Sequence, residues 1–239
     1  MTEGSKTSSS TESRVAVVTG GNGAIGGSIV RSLEAEGLRT VAIDRTGRFA
    51  CDLSSEASTR QVAADVLAEY GGCDVFVHSA AAFDQVDLPH LDVESWRRIQ
   101  ATNVESALWL AQTFIPGMIE RGFGRIIFVV SDTFWAPPGP EMLPYVASKG
   151  ALIGTMRTLA VSLGRYGIAV SAVAPGLTDT PGSRTVNTDS DFDAVVDRQA
   201  LKRRLTPEDT AAAVGYLTSN GGAAMTGQIL CVDGGLLLR

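Results

Sequence analysis

The 239-residue chain has no uninterrupted apolar stretch of the roughly 18 residues that a membrane-spanning helix needs, so no spanning segment is expected. It lacks an excess of positive charge: 20 Lys+Arg stand against 26 Asp+Glu, a formal net charge of −6, which argues against a nucleic-acid partner. Histidine occurs only at His78 and His90, and no His/Cys/carboxylate cluster has metal-ligand spacing, so no metal site is expected. His78 reads as a packed strand-end residue and His90 as a loop residue. Cysteine is equally scarce. Cys51, Cys73 and Cys231 are far apart, odd in number and outside any CxxC, which predicts reduced, partly buried thiols in a cytoplasmic protein. The first 13 residues, MTEGSKTSSSTES, lack the apolar core of a signal peptide and are expected to form a disordered polar tail over 1–13.

What is present is a chain that is 44% hydrophobic, enough for one sizeable core. From Arg14 onward, apolar runs rich in β-branched residues (RVAVVT, TVAID, CDVFVHSA, GRIIFVVS, IAVSAVAP, QILCVDG) alternate with longer helical patterns. Those patterns are AIGGSIVRSLEAEG, STRQVAADVLAEYG, VESWRRIQATNVESALWLAQTFIPGM, YVASKGALIGTMRTLAVSLGRYG and PEDTAAAVGYLTSN. Continuous instead of alternating apolar strands indicate a parallel sheet covered on both faces. The expected fold is a doubly wound α/β sheet in three layers, a single domain over 14–239. One segment breaks the rhythm. Residues 178–209 are polar and without strong apolar periodicity, which predicts a lid or substrate loop.

The stretch VAVVTGGNGAIGGSIV places a glycine-rich turn between a strand and a helix. Gly20, Gly21 and Gly23 allow a tight turn with backbone N–H groups near a phosphate, Gly26 allows close helix–strand approach, and the helix N-terminus adds partial positive charge. Alone, such a turn is also what any tight βα connection needs. The next strand ends in Asp44, 18 residues after Gly26, placed to accept hydrogen bonds from the hydroxyls of an adenosine ribose. A carboxylate there repels a 2′-phosphate and favours NAD over NADP, while Arg45 and Arg48 are positioned to offset that repulsion.

With these residues in place the chain resembles the classical short-chain dehydrogenase/reductase family over nearly its whole length after residue 13. The family's glycine turn looks like TGGNGAIG, with Ala24 at the middle glycine, and implies cofactor contacts from Gly20, Asn22, Gly23, Ala24, Ile25 and Gly26. The resemblance assigns Asp52 and Leu53, in CDLS, to the adenine. The family's NNAG element reads HSAA here, a departure that puts His78 in an amide's place and Ser79, Ala80 and Ala81 beside the cofactor. Asn103, Ser131, Tyr145 and Lys149 match the catalytic tetrad, and APGLTDT resembles the segment by the nicotinamide, with Pro175, Gly176, Thr178 and Thr180. The closing MTGQILCVDGG also fits. The resemblance implies a Rossmann-type fold, a homodimer or homotetramer, and substrate contacts from Ser131, Thr133, Trp135 and Tyr145.

The chemistry implied is hydride exchange between a nicotinamide and a carbinol carbon, with Tyr145 moving the proton. A phenol does this near neutrality only if its pKa falls by roughly 3 units from about 10, worth about 4 kcal/mol of phenolate stabilisation. Lys149, one helical turn on, is the expected source of positive charge; Ser131 would hold the substrate oxygen, and Asn103 would support a proton path. In isolation a Tyr/Lys pair at this spacing is ordinary surface packing. Phe83, Phe134, Trp135, Met142 and Leu143 are candidates for an apolar pocket. LKRR, at 201–204, reads as a solvated basic stretch pairing with Glu208 and Asp209. The expected activity is NAD-dependent interconversion of a small hydrophobic or cyclic secondary alcohol and its ketone. The rivals are an NADPH-dependent ketoreductase, for example of 3-oxoacyl thioesters, and a non-catalytic dinucleotide-sensing protein.

Overall fold

A computed structural model describes residues 13–238, so the expected tail lies outside the described residues except for Ser13. Seven parallel strands form one sheet in the order β3-β2-β1-β4-β5-β6-β7. They are β1 (Val15–Thr19), β2 (Arg39–Asp44), β3 (Phe49–Ala50), β4 (Val75–His78), β5 (Gly124–Val129), β6 (Ile168–Pro175) and β7 (Ile229–Val232). The four central strands β1, β4, β5 and β6 are buried at every position, which is why they are spelled as predominantly apolar runs, broken by Thr19, His78, Arg125 and Ser171. Strand order reverses between β1 and β4, so a crevice opens at their carboxyl ends, where ligands bind in sheets of this type.

Helices α1 (Ala24–Ala35), α2 (Glu56–Tyr70), α3 (Val93–Gln100), α4 (Ser106–Arg121), α5 (Leu143–Leu163), α6 (Asp189–Arg198) and α7 (Pro207–Thr218) complete the fold. One core lies between the sheet and α2, α4 and α5, and holds Phe76, Leu110, Phe114, Phe128, Leu152 and Met156. The other, under α1 and α7, holds Ile29, Leu33, Val77, Ile127 and Val214. The Rossmann-type three-layer sheet expected from the sequence is the observed fold. Among the described residues no helix is long and apolar enough to cross a membrane.

Three features depart from the sequence pattern. The single long helix expected over 93–118 is divided: a π-helical turn, Ala101–Glu105, separates α3 from α4 and widens the backbone where Asn103 sits. Strand β3 is only two residues long and pairs at the sheet edge, too short to carry a periodic signal. Residues 178–209, expected to be a loop, contain helix α6. Its start is set by a capping box between Thr188 and Asp191, and it buries Phe192, whose ring lies under the guanidiniums of Arg184 and Arg204 at 5.4 and 5.1 Å. The apolar content of α6 is too low for its periodicity to stand out.

The basic stretch at 201–204 is paired within this segment. Arg203 donates to Asp209 at 2.6 Å, and Arg204 donates to Asp189 and Asp193 at 2.7 and 2.6 Å. Glu208 instead accepts from Ser28 at 2.8 Å and lies 3.5 Å from Arg31, which corrects its expected pairing with 201–204. Cys51 and Cys73 are buried and Cys231 is exposed.

Candidate active site

The glycine turn lies at the carboxyl end of β1. Gly20 has φ +68°, and a Cβ there would stand 3.0 Å from the backbone of Ala80, so a side chain is excluded by both torsion and space. Gly26 is tighter still: its Cβ would approach the Gly20 carbonyl oxygen to 2.1 Å. The turn is stitched to the neighbouring strand ends. Thr19 Oγ1 accepts from the backbone N–H groups of Ser79 and Ala80, both at 3.1 Å. Asp44, at the end of β2, accepts from the N–H groups of Asn22 at 3.0 Å and Arg45 at 2.7 Å, and the Asn22 side chain donates to the Thr46 carbonyl at 2.8 Å.

Around this turn the candidate adenine contacts divide. Asp52 is exposed and accepts from the Ser54 hydroxyl and N–H, bonds that hold its carboxyl below the usual range. Leu53 is instead a member of the core. Arg48, considered above as a partner for a phosphate, donates to Glu69 at 2.8 Å.

The four tetrad candidates come from three separate places and meet at the same end of the sheet. Ser131 follows β5, Tyr145 and Lys149 lie on the first turns of α5, and Asn103 occupies the π-helical turn. The Asn103 side chain clamps the loop after β4: its Oδ1 accepts from Ala82 N–H at 2.6 Å, and its Nδ2 donates to the Ala82 carbonyl at 3.0 Å. The same Nδ2 donates to Ser148 Oγ at 2.9 Å, and Ser148 donates to the Tyr145 carbonyl at 2.7 Å. Ser131 Oγ accepts from the Thr133 N–H and hydroxyl at 3.2 and 2.9 Å, donates to Asp132 at 3.4 Å, and is close enough to the Tyr145 phenol to lower its pKa.

Electrostatically the site differs from expectation at Tyr145. The residue is half-buried, and burial pushes the phenol up to about 12; the Ser131 hydroxyl lowers it and the nearby Asp132 carboxylate raises it. Lys149 does not produce the expected drop. It is buried, burial brings its own pKa down to about 8, and its Nζ donates to the Val129 carbonyl at 2.8 Å. That Nζ stands 5.3 Å from the Tyr145 ring centroid, close enough to stabilise a phenolate once one forms.

The aromatic residues also sort themselves. Phe83 packs edge-on against Tyr145 with centroids 5.3 Å apart. Phe134, Met142 and Leu143 line an apolar cavity of about 370 Å³ whose walls include none of the tetrad candidates. Trp135 packs against the large core. Residues 175–180 run beside this end of the sheet: Pro175 ends β6, Gly176 N–H donates to the Val232 carbonyl at 2.9 Å, and the Thr180 hydroxyl meets Ser183 at 3.1 Å. Thr178 bridges to Leu205.

Sequence patterns had not singled out Thr19, Asp132 or the hydrogen-bonding role of Ser148. His78 is packed at a strand end as expected, but it also makes two buried hydrogen bonds, to Thr19 Oγ1 at 3.0 Å and to the Asn103 carbonyl at 3.1 Å. Desolvation first, and then the Lys149 charge, bring its pKa down to about 3. The unfolded chain therefore binds a proton at His78 near pH 6.5 that the folded chain refuses until about pH 3, so stability falls as pH drops through this window. Between about pH 6.5 and 5, above the carboxylate range, the expected slope approaches 1.4 kcal/mol per pH unit. Urea unfolding across that range measures it, and His78→Asn is expected to flatten it. Among the described residues no group of three or more His, Cys, Asp or Glu could hold a metal ion.

A parallel sheet with a tight glycine turn at its switch point and Asn, Ser, Tyr and Lys gathered beside it defines a class: α/β proteins of the dinucleotide-dependent oxidoreductase type. The comparisons agree. The chain belongs to the short-chain dehydrogenase/reductase family of oxidoreductases; the family model described as enoyl-(acyl carrier protein) reductase matches residues 22–237. It is 32% identical over 246 residues to the 4-formylbenzenesulfonate dehydrogenase of Comamonas testosteroni, covering 93% of this chain and 97% of that one. It is 32% identical over 256 residues to a candidate ketoacyl reductase of Streptomyces coelicolor, covering 94% and 97%. A crystal structure from Beutenbergia cavernae superposes with a TM-score of 0.87 at 28% identity, covering 93% of this chain and 96% of that one. That protein is described as a candidate NAD(P)-dependent gluconate 5-dehydrogenase, with NADP bound at low occupancy.

Proposed function

We propose that the protein is an NAD-dependent oxidoreductase that interconverts a small hydrophobic or cyclic secondary alcohol and its ketone, with Tyr145 as the acid/base. The observation that carries this reading is the gathering of Asn103, Ser131, Tyr145 and Lys149 beside the glycine turn, with Asn103 linked to the Tyr145 backbone through Ser148. The chain fits a dinucleotide on its own evidence. Gly20 and Gly26 leave backbone where any Cβ would collide, and Asp44 stands at the adjoining strand end with its carboxylate beside the turn. Residues 20–26 would hold the pyrophosphate, Asp44 the adenosine ribose, and Lys149 the nicotinamide ribose. When bound, the nicotinamide ring accepts or donates the hydride and, oxidised, adds a positive charge.

The chain's own residues manage the proton. In oxidation Tyr145 accepts the alcohol proton; in reduction it returns one to the developing alkoxide. Ser131 orients the substrate oxygen beside the Tyr145 phenol, whose pKa it lowers. Burial holds the phenol protonated in the structure described, which suits it as an acid. Its use as a base requires added positive charge, from Lys149 turning toward it and from the oxidised ring. Phe83 packs against Tyr145 and excludes water from one side of the ring.

Asp44 supports NAD because a carboxylate repels a 2′-phosphate. Asp44→Ser is expected to improve the use of NADP relative to NAD by about tenfold or more, from removing one like-charge contact. The ratio of kcat/KM for the two cofactors measures it. The reading as a whole is tested by following absorbance at 340 nm with NAD and NADP against a panel of secondary alcohols, and with the reduced cofactors against the ketones. A wild-type ratio favouring NADPH would transfer the assignment to a ketoreductase, a reading supported by the ketoacyl reductase relative and by the NADP in the Beutenbergia structure. Binding of NAD(H) without turnover on any of the panel would make it a dinucleotide-sensing protein.

A further inference from the structure

We propose that His78 is a positioning residue for the candidate active site: held as the neutral tautomer with its proton on Nε2, it ties the cofactor turn to the backbone of Asn103. The proposal rests on the reading of Asn103, Tyr145 and Lys149 as catalytic groups, and on a hydrogen-bond arrangement that only one protonation state satisfies.

The ring is completely buried, and each nitrogen has one partner. Nε2 lies 3.1 Å from the Asn103 carbonyl oxygen, which can only accept, so Nε2 carries a proton. Nδ1 lies 3.0 Å from Thr19 Oγ1. That hydroxyl already accepts from the N–H groups of Ser79 and Ala80, which occupy both of its lone pairs. Its remaining capacity is to donate, so Nδ1 is an acceptor and unprotonated. An imidazolium would direct a third donor at Thr19 Oγ1 and leave the hydroxyl proton facing a cation. The surroundings oppose charge as well. Lys149 on α5 is the charged group felt at the ring; Thr19 on β1, Phe128 paired in register on β5, Phe76 on β4 and the Asn103 backbone are uncharged.

The consequence is a continuous path through five residues. Thr19 holds the cofactor turn and the loop after β4. His78 links Thr19 to the Asn103 backbone, the Asn103 side chain holds Ala82 and Ser148, and Ser148 holds the Tyr145 carbonyl. A π-helical turn is an irregular stretch whose carbonyl positions are set by what they bond, and His78 supplies that bond from the turn side. Substrate and cofactor halves of the site are thereby held in register, which hydride exchange between them requires.

Two half-bridges separate the two ends. In His78→Asn the amide falls near the Nδ1 position and can serve Thr19 but not the Asn103 carbonyl. In His78→Gln it falls near Nε2 and can serve Asn103 but not Thr19. Both variants are expected to lower kcat about tenfold and weaken NAD(H) binding severalfold, with substrate KM changed less than about twofold. Neither has a charge to bury, so each is expected to fold.

Independently of turnover, ¹⁵N-histidine spectra of the full chain, with the exposed His90 assigned through His90→Gln, read the tautomer directly. His78 is expected to show a protonated Nε2 and an acceptor Nδ1, without titration between about pH 5.5 and 8. A protonated Nδ1, or titration within that window, overturns the proposal. So does retention by both half-bridge variants of wild-type NAD(H) affinity, and of kcat where turnover is found. Were no substrate found, the functional reading would fail while the tautomer and the cofactor affinities still decided the role of His78.

Discussion

Tyr145→Phe is expected to lower turnover by about 10³-fold while leaving NAD(H) affinity within about twofold of wild type, the range set by losing one positioned acid/base. The substitution removes a single oxygen. Phenylalanine keeps the ring, its edge-on contact with Phe83 and the backbone carbonyl that receives the Ser148 hydroxyl, so the pocket retains its shape. What disappears is the phenol hydroxyl itself, which burial, Ser131 and Asp132 tune. Single-turnover absorbance at 340 nm and cofactor fluorescence titration separate the two effects. If the variant keeps more than about a tenth of the wild-type rate, the proton passes through another group. Ser131 would then be the first to examine, since its hydroxyl already acts on the phenol.

Gly26→Ala is expected to cost roughly 3 kcal/mol or more of stability and to abolish measurable NAD(H) binding. The added methyl would lie 2.1 Å from the Gly20 oxygen and 2.7 Å from its carbonyl carbon. These are backbone atoms of the turn itself, so no side chain can swing aside to make room. Either α1 retreats from β1, opening a gap beside Ile29 and Leu33, or Gly20 is displaced toward Ala80 and the cradle for a phosphate is lost. Gly154→Ala provides the contrast: nothing lies within 4 Å of the added Cβ on α5, so a helix-favouring residue should be neutral or slightly stabilising. Urea unfolding of the pair tests the argument. Equal stabilities would mean that the turn yields far more easily than its geometry implies.

Much of this molecule was legible in one dimension because burial on both faces leaves a strong mark. A strand such as Ile168–Pro175 is buried at all eight positions, and seven of them are apolar, with Ser171 satisfied by the Met225 carbonyl. The glycine turn was legible for a related reason: the space at Gly20 and Gly26 admits no side chain, so the constraint shows in residue type. Tyr145, Lys149, Ser131 and Asn103 were legible through the resemblance to the short-chain dehydrogenase/reductase family, since the Tyr/Lys spacing alone is common. Helix α6 was not, because its stability comes from a capping box, one buried phenylalanine and ion pairs with Arg184 and Arg204, none of which produces a long apolar stripe.

The sequence alone determined the fold class and the place of the cofactor turn, since apolar patterning and glycine spacing specify these, and its resemblance to the short-chain dehydrogenase/reductase family pointed to the groups that gather at the strand ends. Only the tertiary structure decided how those groups are tuned. The burial of the Tyr145 phenol, the Asp132 carboxylate beside it, the engagement of Lys149 with the Val129 carbonyl and the two-sided bond of His78 all involve partners distant in the chain or set by backbone geometry. Desolvation and hydrogen-bond direction arise from atoms brought together in space, and residue order does not carry them.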